Sequence, residues 1–235
     1  MLQGLRTKND IRKLPAYGIG EAAHYLRIPK TTLRYWVLGQ HYKIGTGKTF
    51  AKPIINPADE GNHILSFMNL IEAHVLDAIR REHEISLQKV RKALDYLSKH
   101  FRSGYPLVDQ RFETDGLDLF IPYYGQLISL TKDGQMAMRK LLLAHLRRIE
   151  RDPQGIPTRL FPFTRKRDPE EPKAVVIDPY ISFGRPVLVG TGITTAIVAE
   201  RYKAGESMEA LSEDYGCEQL KIEEAIRCEL ELEAA

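Results

Sequence analysis

Apolar positions along this chain recur in short helical bursts separated by turn signals. The first burst is EAAHYL at 21–26, followed by the turn Ile28-Pro29-Lys30 and by TTLRYWVLG at 31–39, which Gly39 closes. At helical spacing Ala22, Ala23, Leu26, Leu33, Trp36 and Val37 share an inner face, leaving Lys30, Thr31, Thr32, Arg34 and Tyr35 outside. Pro29 suits the turn or a first helical position, and Thr31 or Thr32 can cap the second helix. Residues 41–56 then read as a hairpin with Gly45 and Gly47 at its tip. Two amphipathic helices are expected at 62–83 and 86–101, the second with Ser86 as N-cap.

The middle changes character. Residues 111–134 are aromatic and β-branched, with turn signals at Asp115-Gly116, Gly125 and Asp133-Gly134, which predicts two or three short antiparallel strands. A helix at 135–152 and a strand at 156–163 follow, and the Pro-rich, charged stretch 164–173 is the best linker candidate. The last part opens with a strand at 174–179 and a Gly/Pro-rich loop at 181–192. Helices at 194–205, 207–216 and 217–233 come next, with Ile197, Val198, Leu211, Leu220, Ile222 and Ile226 as their core.

This pattern gives an α+β chain that is mostly α. A winged helix-turn-helix at 1–105 precedes a small β-hairpin/helix domain at 106–167 and a three-helix domain of helix-turn-helix-like layout at 168–235. Charge sharpens the division. Residues 1–52 carry 10 Lys/Arg against 2 Asp/Glu, while residues 169–235 carry 6 against 14. A basic N-terminal end suits a polyanion such as DNA. The acidic end suits solvent or a basic protein partner.

Helix, tight turn, helix and a basic hairpin is a DNA-reading layout, in which the second helix enters the major groove and the wing holds phosphates. Arg34 can donate two hydrogen bonds to a guanine edge or clamp a phosphate. Thr31 and Thr32 sit near a helix N-terminus, where a phosphate is welcome. Lys30 with Lys43, Lys48 and Lys52 of the hairpin completes a basic face, and Tyr35 is either packing or a phosphate contact. The segment GIGEAAHYLRIPKTTLRYWVLG resembles the start of a MerR-type DNA-binding domain, whose recognition helix often reads T-x-R-Y-[YW]; Thr32, Arg34, Tyr35 and Trp36 match that pattern. HEISLQKVRKAL resembles the segment after that family's wing. The long dimer coiled coil and effector site of a MerR sensor have no counterpart.

Residues 177–227 resemble an uncharacterised bacterial family linked to VapB-type antitoxins. The fitting positions are Gly184, Pro186, Gly190, Thr191, Ile193, Gly205, Ser207, Asp214 and Tyr215. The family's G-T-R is here Gly190-Thr191-Gly192, which suggests positive φ at Gly192. The two resemblances together imply a larger, two-domain VapB-type antitoxin that represses its own operon, as a homodimer on operator DNA, and blocks a PIN-domain ribonuclease. Arg185, Thr191, Glu206, Glu209 and Glu213 are the candidate partner contacts.

Enzyme chemistry finds no foothold. The seven histidines are scattered, with neither an HExxH motif nor a His/Cys cluster, and the GIG and GTG triplets are too short for a nucleotide loop. No catalytic residue, metal or cofactor is expected. Cys217 and Cys228 form no CxxC pair. No long apolar run or signal segment is read, so a cytoplasmic location without a membrane is expected. The alternatives are a stand-alone MerR-like regulator, whose C-terminal part dimerises or senses a ligand, and a purely protein-binding adaptor.

Overall fold

The computed structural model describes residues 10–44, 47–81, 87–101, 105–165 and 170–230. Its architecture is α+β and mostly helical, with small two-stranded antiparallel sheets. Helix α1 (Ile19–Leu26) starts two residues earlier than the sequence suggests, because the Glu21 carboxylate accepts from the Gly18 N–H at its entrance. Arg27 turns the chain in the left-handed region, and α2 (Lys30–Leu38) begins directly after Pro29. Pro29 therefore takes the N-cap position and Thr31 and Thr32 lie inside the first turn rather than capping it.

Gly39 ends α2 with φ of 73°, and a Cβ there would stand 2.3 Å from the Ala51 carbonyl. Only glycine permits so abrupt a passage into the wing. The wing is β1 (Gln40–Ile44) paired with β2 (Gly47–Ala51), Lys43 opposite Lys48. Its expected tip at Gly45 lies partly outside the described residues. The wing returns to the body through Ile54 and Ile55, whose N–H groups donate to the Trp36 carbonyl.

Helix α3 (Phe67–Arg81) begins later than expected because Leu65 instead bridges Tyr17 in an antiparallel contact. It forms the centre of the molecule, packing on α1 and on the middle segment. Helix α4 (Leu87–Phe101) follows; its expected cap, Ser86, lies outside the described residues.

The strands expected at 111–134 are not formed. A π-helical turn at Phe112–Gly116 leads into α5 (Leu117–Ile128), and α6 (Lys132–Leu146) follows after Thr131 caps it through the Gly134 N–H. Phe112, Leu117, Phe120, Ile121 and Tyr124 are all buried. From Leu117 on they recur at helical spacing, and the wider first step is the one a π turn takes. Burial of one aromatic face overrides the β-favouring composition. The helix expected to reach 152 stops at Leu146, and β3 (Ile149–Arg151) pairs with β4 (Pro157–Leu160).

One apolar core runs without a break from Tyr17 to Ile177, so α3, α5 and α6 share it. A second, smaller core belongs to the C-terminal part, where β5 (Val175–Val176) pairs with β6 (Val187–Leu188) ahead of α7 (Thr195–Lys203), α8 (Met208–Tyr215) and α9 (Gln219–Leu230). Val198, Leu211, Ile222 and Ile226 are in that core as expected, but Ile197 and Leu220 are exposed. They fall on the outer sides of α7 and α9, which pack against each other.

The stretch 164–173 is not a free linker at its ends. Buried Thr164 donates to Glu171 through its backbone N–H and to the fully buried Glu224 of α9 through its hydroxyl, and Arg165 pairs with Glu224. Beneath it, Arg148 is buried and donates to the carbonyls of Phe161 (2.7 Å), Glu171 (2.9 Å), Pro162 and Pro172 (both 3.2 Å). The N- and C-terminal modules also touch. His24 Nε2–H donates to Glu229 (2.9 Å), Arg27 donates to the Thr164 carbonyl, and Tyr17 OH donates to the Gly184 carbonyl (3.1 Å). Burial opposes ionisation of Glu229, yet the bonds from His24 and Thr195 hold its carboxyl below the usual range.

Candidate nucleic-acid and partner interfaces

Leu33, Trp36 and Val37 point α2 into the core, which fixes the opposite side outward. On that side Lys30, Thr31, Arg34 and Tyr35 are exposed and Thr32 is half-buried. The side chain of Trp36 is sealed in, with the Arg80 guanidinium 5.8 Å from its ring. The first turn of α2 carries no side-chain cap, so its N–H groups and positive dipole end face outward beside Lys30 and Thr31. Such an end accepts a phosphate without rearrangement.

The wing continues this side. Its backbone register sets Lys43 across from Lys48, and the exposed Lys52 follows at its root. Arg91 of α4 donates to the carbonyls of Lys52 and Pro53 and so anchors the wing to the body. Lys30, Thr31, Arg34 and Tyr35 of α2 and Lys52 at the root of the wing are thus exposed, and the backbone of the wing sets Lys43 and Lys48 opposite each other. Phe50 of the wing, exposed with its ring 4.8 Å from that of His41, adds an apolar element that the sequence reading passed over.

In the C-terminal module the candidate residues divide. Arg185 is exposed. Thr191 is a turn hydroxyl, donating to the Leu188 carbonyl and accepting from the Ile193 N–H. Gly192 does not have positive φ; Gly190 does, at 84°, and the Gly192 carbonyl instead accepts from Ser182. Arg201 gathers Glu206 and Asp214 into one ion-pair cluster over the Tyr215 ring. Glu209 accepts from Gln219, and Glu213 is exposed.

The most prominent surface feature of this module was not read from the sequence. Ser182 and Phe183 both adopt left-handed backbone, and Phe183 stands 95% exposed. Gly184 makes this possible: at φ of 76° a Cβ would lie 2.1 Å from the Tyr17 hydroxyl. Tyr180, at 69% exposure, stands on the same loop, and the Ser182 bond to Gly192 brings that loop against the entrance to α7, where Ile197 is exposed. Two consecutive non-glycine residues in a costly conformation that hold an aromatic ring in solvent make this loop a candidate contact surface. The only sequence signal was the Gly184-Arg185-Pro186 turn.

Among the described residues no three His, Cys, Asp or Glu groups converge on a possible metal position, and no helix is long and apolar enough to cross a membrane. Both cysteines are free. Burial and the nearby Glu229 push the Cys228 thiol up to about 12, far from a reactive thiolate. His74 stacks on Phe163 in the interior, and His145 meets the same ring edge-on. Burial holds His74 well below the usual imidazole range, and its Nε2–H donates to the His145 carbonyl. That pair is core.

Comparison with known proteins agrees with this layout at both ends. Residues 15–94 match the family model described as "Putative DNA-binding HTH domain", and residues 175–227 match "Protein of unknown function (DUF433)". The chain is 28% identical to the "Putative antitoxin VapB45" of Mycobacterium tuberculosis, over 95% of its own length and 96% of the relative's. The crystal structure of Rv2018 from Mycobacterium tuberculosis has the same fold, with a TM-score of 0.65 and 23% identity over 91% of this chain and 98% of that one. The chain is thus similar along nearly its whole length to a two-domain VapB-type antitoxin, as its two sequence signatures implied.

Proposed function

We propose that the protein is a non-enzymatic antitoxin that binds DNA through α2 and the wing and binds a toxin through its C-terminal module. The observation that carries this reading is the pairing, in one chain similar end to end to an antitoxin, of a helix-turn-helix domain with an outward basic helix and a module with a preorganised aromatic surface. Lys30, Thr31, Thr32 and the wing residues Lys43, Lys48 and Lys52 hold phosphates, Tyr35 adds a further backbone contact, and Arg34 reads a base edge. The DNA is the operator of its own operon, bound by a homodimer on an inverted repeat.

The toxin is a PIN-domain ribonuclease, neutralised by direct binding in the cytoplasm. Phe183, with Tyr180 and Ile197, is its central anchor, since exposed aromatic rings in a fixed setting lose little entropy on docking. Arg185, Glu209 and Glu213 form the charged rim of the contact. Thr191 and Glu206 support that surface through their internal bonds.

Expression of the adjacent open reading frame with and without this chain is the test. Growth arrest relieved by the chain, and lost relief in Phe183→Ala, are the expected results. Unimpaired growth in every combination would remove the basis for the antitoxin role.

A further inference from the structure

A cavity of about 460 Å³ opens between the root of the wing, α3, α4 and the segment at 105–107. Its volume lies in the range of small-molecule sites. Its deep walls are Ile55, Leu76 and Leu107, all buried, and among them stands one carboxyl, that of Glu72. Glu72 is 8% exposed and, among the described residues, accepts one hydrogen bond, 2.8 Å from Asn69 Nδ2 to its Oε2. Asn69 is itself fixed, donating to the Asn56 carbonyl and accepting from the Ser66 N–H and hydroxyl. The acid is therefore held in place with acceptor capacity left over at Oε1.

Among the described residues two cations line the same cavity, but both belong to its mouth. Lys52 is exposed, and the Arg91 guanidinium is engaged with the carbonyls of Lys52 and Pro53. Asp95 of α4 lies at the mouth as well, on the exposed side of its helix. Among the described residues, the deep end thus offers apolar surface, the Tyr105 side chain and an anion-forming group that no cation faces. An isolated carboxylate is costly in such a setting unless a positive charge joins it.

We infer that this cavity is a binding site for a small organic ammonium ion with an apolar body, its head paired with the Glu72 carboxylate and its body among Ile55, Leu76 and Leu107. Burial pushes the Glu72 carboxyl up to about 8, so at neutral pH an arriving ammonium ion displaces the carboxyl proton to solvent as the ion pair forms. The site depends on neither DNA nor toxin. Its mouth is the root of the wing, which places an occupant beside the element that contacts DNA.

The test is calorimetric titration of the full chain at pH 7 with phenethylamine, phenylacetate and 2-phenylethanol, in two buffers of different ionisation enthalpy. Phenethylamine is expected to bind with net proton release and about tenfold or more tighter than either comparator, the scale of one charged hydrogen bond in a buried site. Glu72→Gln should remove that advantage. Leu94→Trp, which fills the cavity from α4 and leaves the acid in place, should abolish binding of the amine. No binding of the amine, equal binding of the alcohol or the acid, or unchanged affinity in a folded Glu72→Gln or Leu94→Trp protein overturns the assignment.

Discussion

Replacing Arg148 by Met tests how the C-terminal module is held to the rest of the chain. Methionine keeps most of the apolar stem and a similar volume, so the change isolates the guanidinium. That group donates to four carbonyls of the crossing segment, those of Phe161, Pro162, Glu171 and Pro172, and lies 4.5 Å from the Phe163 ring centre. Burial pulls its proton affinity down, opposed by nearby Glu171 and Glu224, so part of its worth is spent on desolvation. A hydrogen bond to a charged group contributes about 1.5–3 kcal/mol, and a buried acceptor left bare costs about 1–3 kcal/mol. Bonds made by one guanidinium are not additive, so the net expected loss is about 3–5 kcal/mol rather than the sum of every bond. Urea unfolding gives that value directly. Limited proteolysis should find the 162–174 segment newly susceptible, and Arg148→Lys should recover only a fraction, because a single ammonium cannot fork to carbonyls on two strands of chain. A Met variant within about 1 kcal/mol of the parent chain, with unchanged proteolysis, would mean the segment is held by Thr164 and Glu224 alone.

Arg34→Ala should weaken operator binding by ~1–3 kcal/mol and relax sequence preference at one base pair, measured by mobility shift; an equal loss on every sequence would make Arg34 a phosphate contact. Phe183→Ala should weaken toxin binding by about 2 kcal/mol or more while leaving stability unchanged, as read by calorimetry and thermal unfolding; retained affinity would move the anchor elsewhere. Glu72 makes stability depend on pH. Its folded value of about 8 lies above the ordinary 4.5, so its contribution is full below 4.5 and is lost as pH rises towards 8. The parent chain should lose stability relative to Glu72→Gln by up to ~1.4 kcal/mol per pH unit across that window, and a difference that stays flat from pH 5 to 8 would show that Glu72 titrates normally.

The N-terminal domain was legible because local and tertiary preferences agree there. Trp36, Leu33 and Val37 sit at helical spacing, Gly39 stops the helix, and the core they enter demands nothing different. The middle was misread for the opposite reason. Around Phe112, Phe120 and Tyr124 the composition favours strands, and Gly116, Gly125 and Gly134 look like turns, yet all three glycines lie in helical backbone beside bulky neighbours. Close packing selected those glycines, which a single sequence cannot distinguish from a need for positive φ. The Phe183 loop was hidden similarly. Its conformation depends on a hydroxyl more than 160 residues away, that of Tyr17, which no local pattern reports.

The charge asymmetry takes on a different meaning once the pairs are known. An acidic C-terminal module suggests a negative face for a basic partner, but many of its acids are already spent. Glu206 and Asp214 neutralise Arg201, Glu223 pairs with Arg227, Glu224 with Arg165, and Glu229 with His24 of the DNA-binding domain. These are bonds within and between modules, and the pairs at Glu224 and Glu229 tie α9 to the body of the chain. The module keeps its excess of acids, but the paired ones are held in place by their partners and the field of the rest is screened beyond about 8 Å at physiological salt. Specific docking must then come from shape and burial, and the Phe183 ring, nearly bare to solvent, is where this module has most apolar surface to gain by burial. The same reasoning does not apply at the other end. Arg34 and Lys52 are exposed and face no acid in the register of the wing or on α2, so their charge is available to phosphates. Toxin binding should therefore vary little with salt while DNA binding falls steeply, and titrating both from about 50 to 200 mM salt separates the two modes in one protein. A steep salt dependence of toxin binding would return the acidic side chains Glu209 and Glu213 to the centre of that interface.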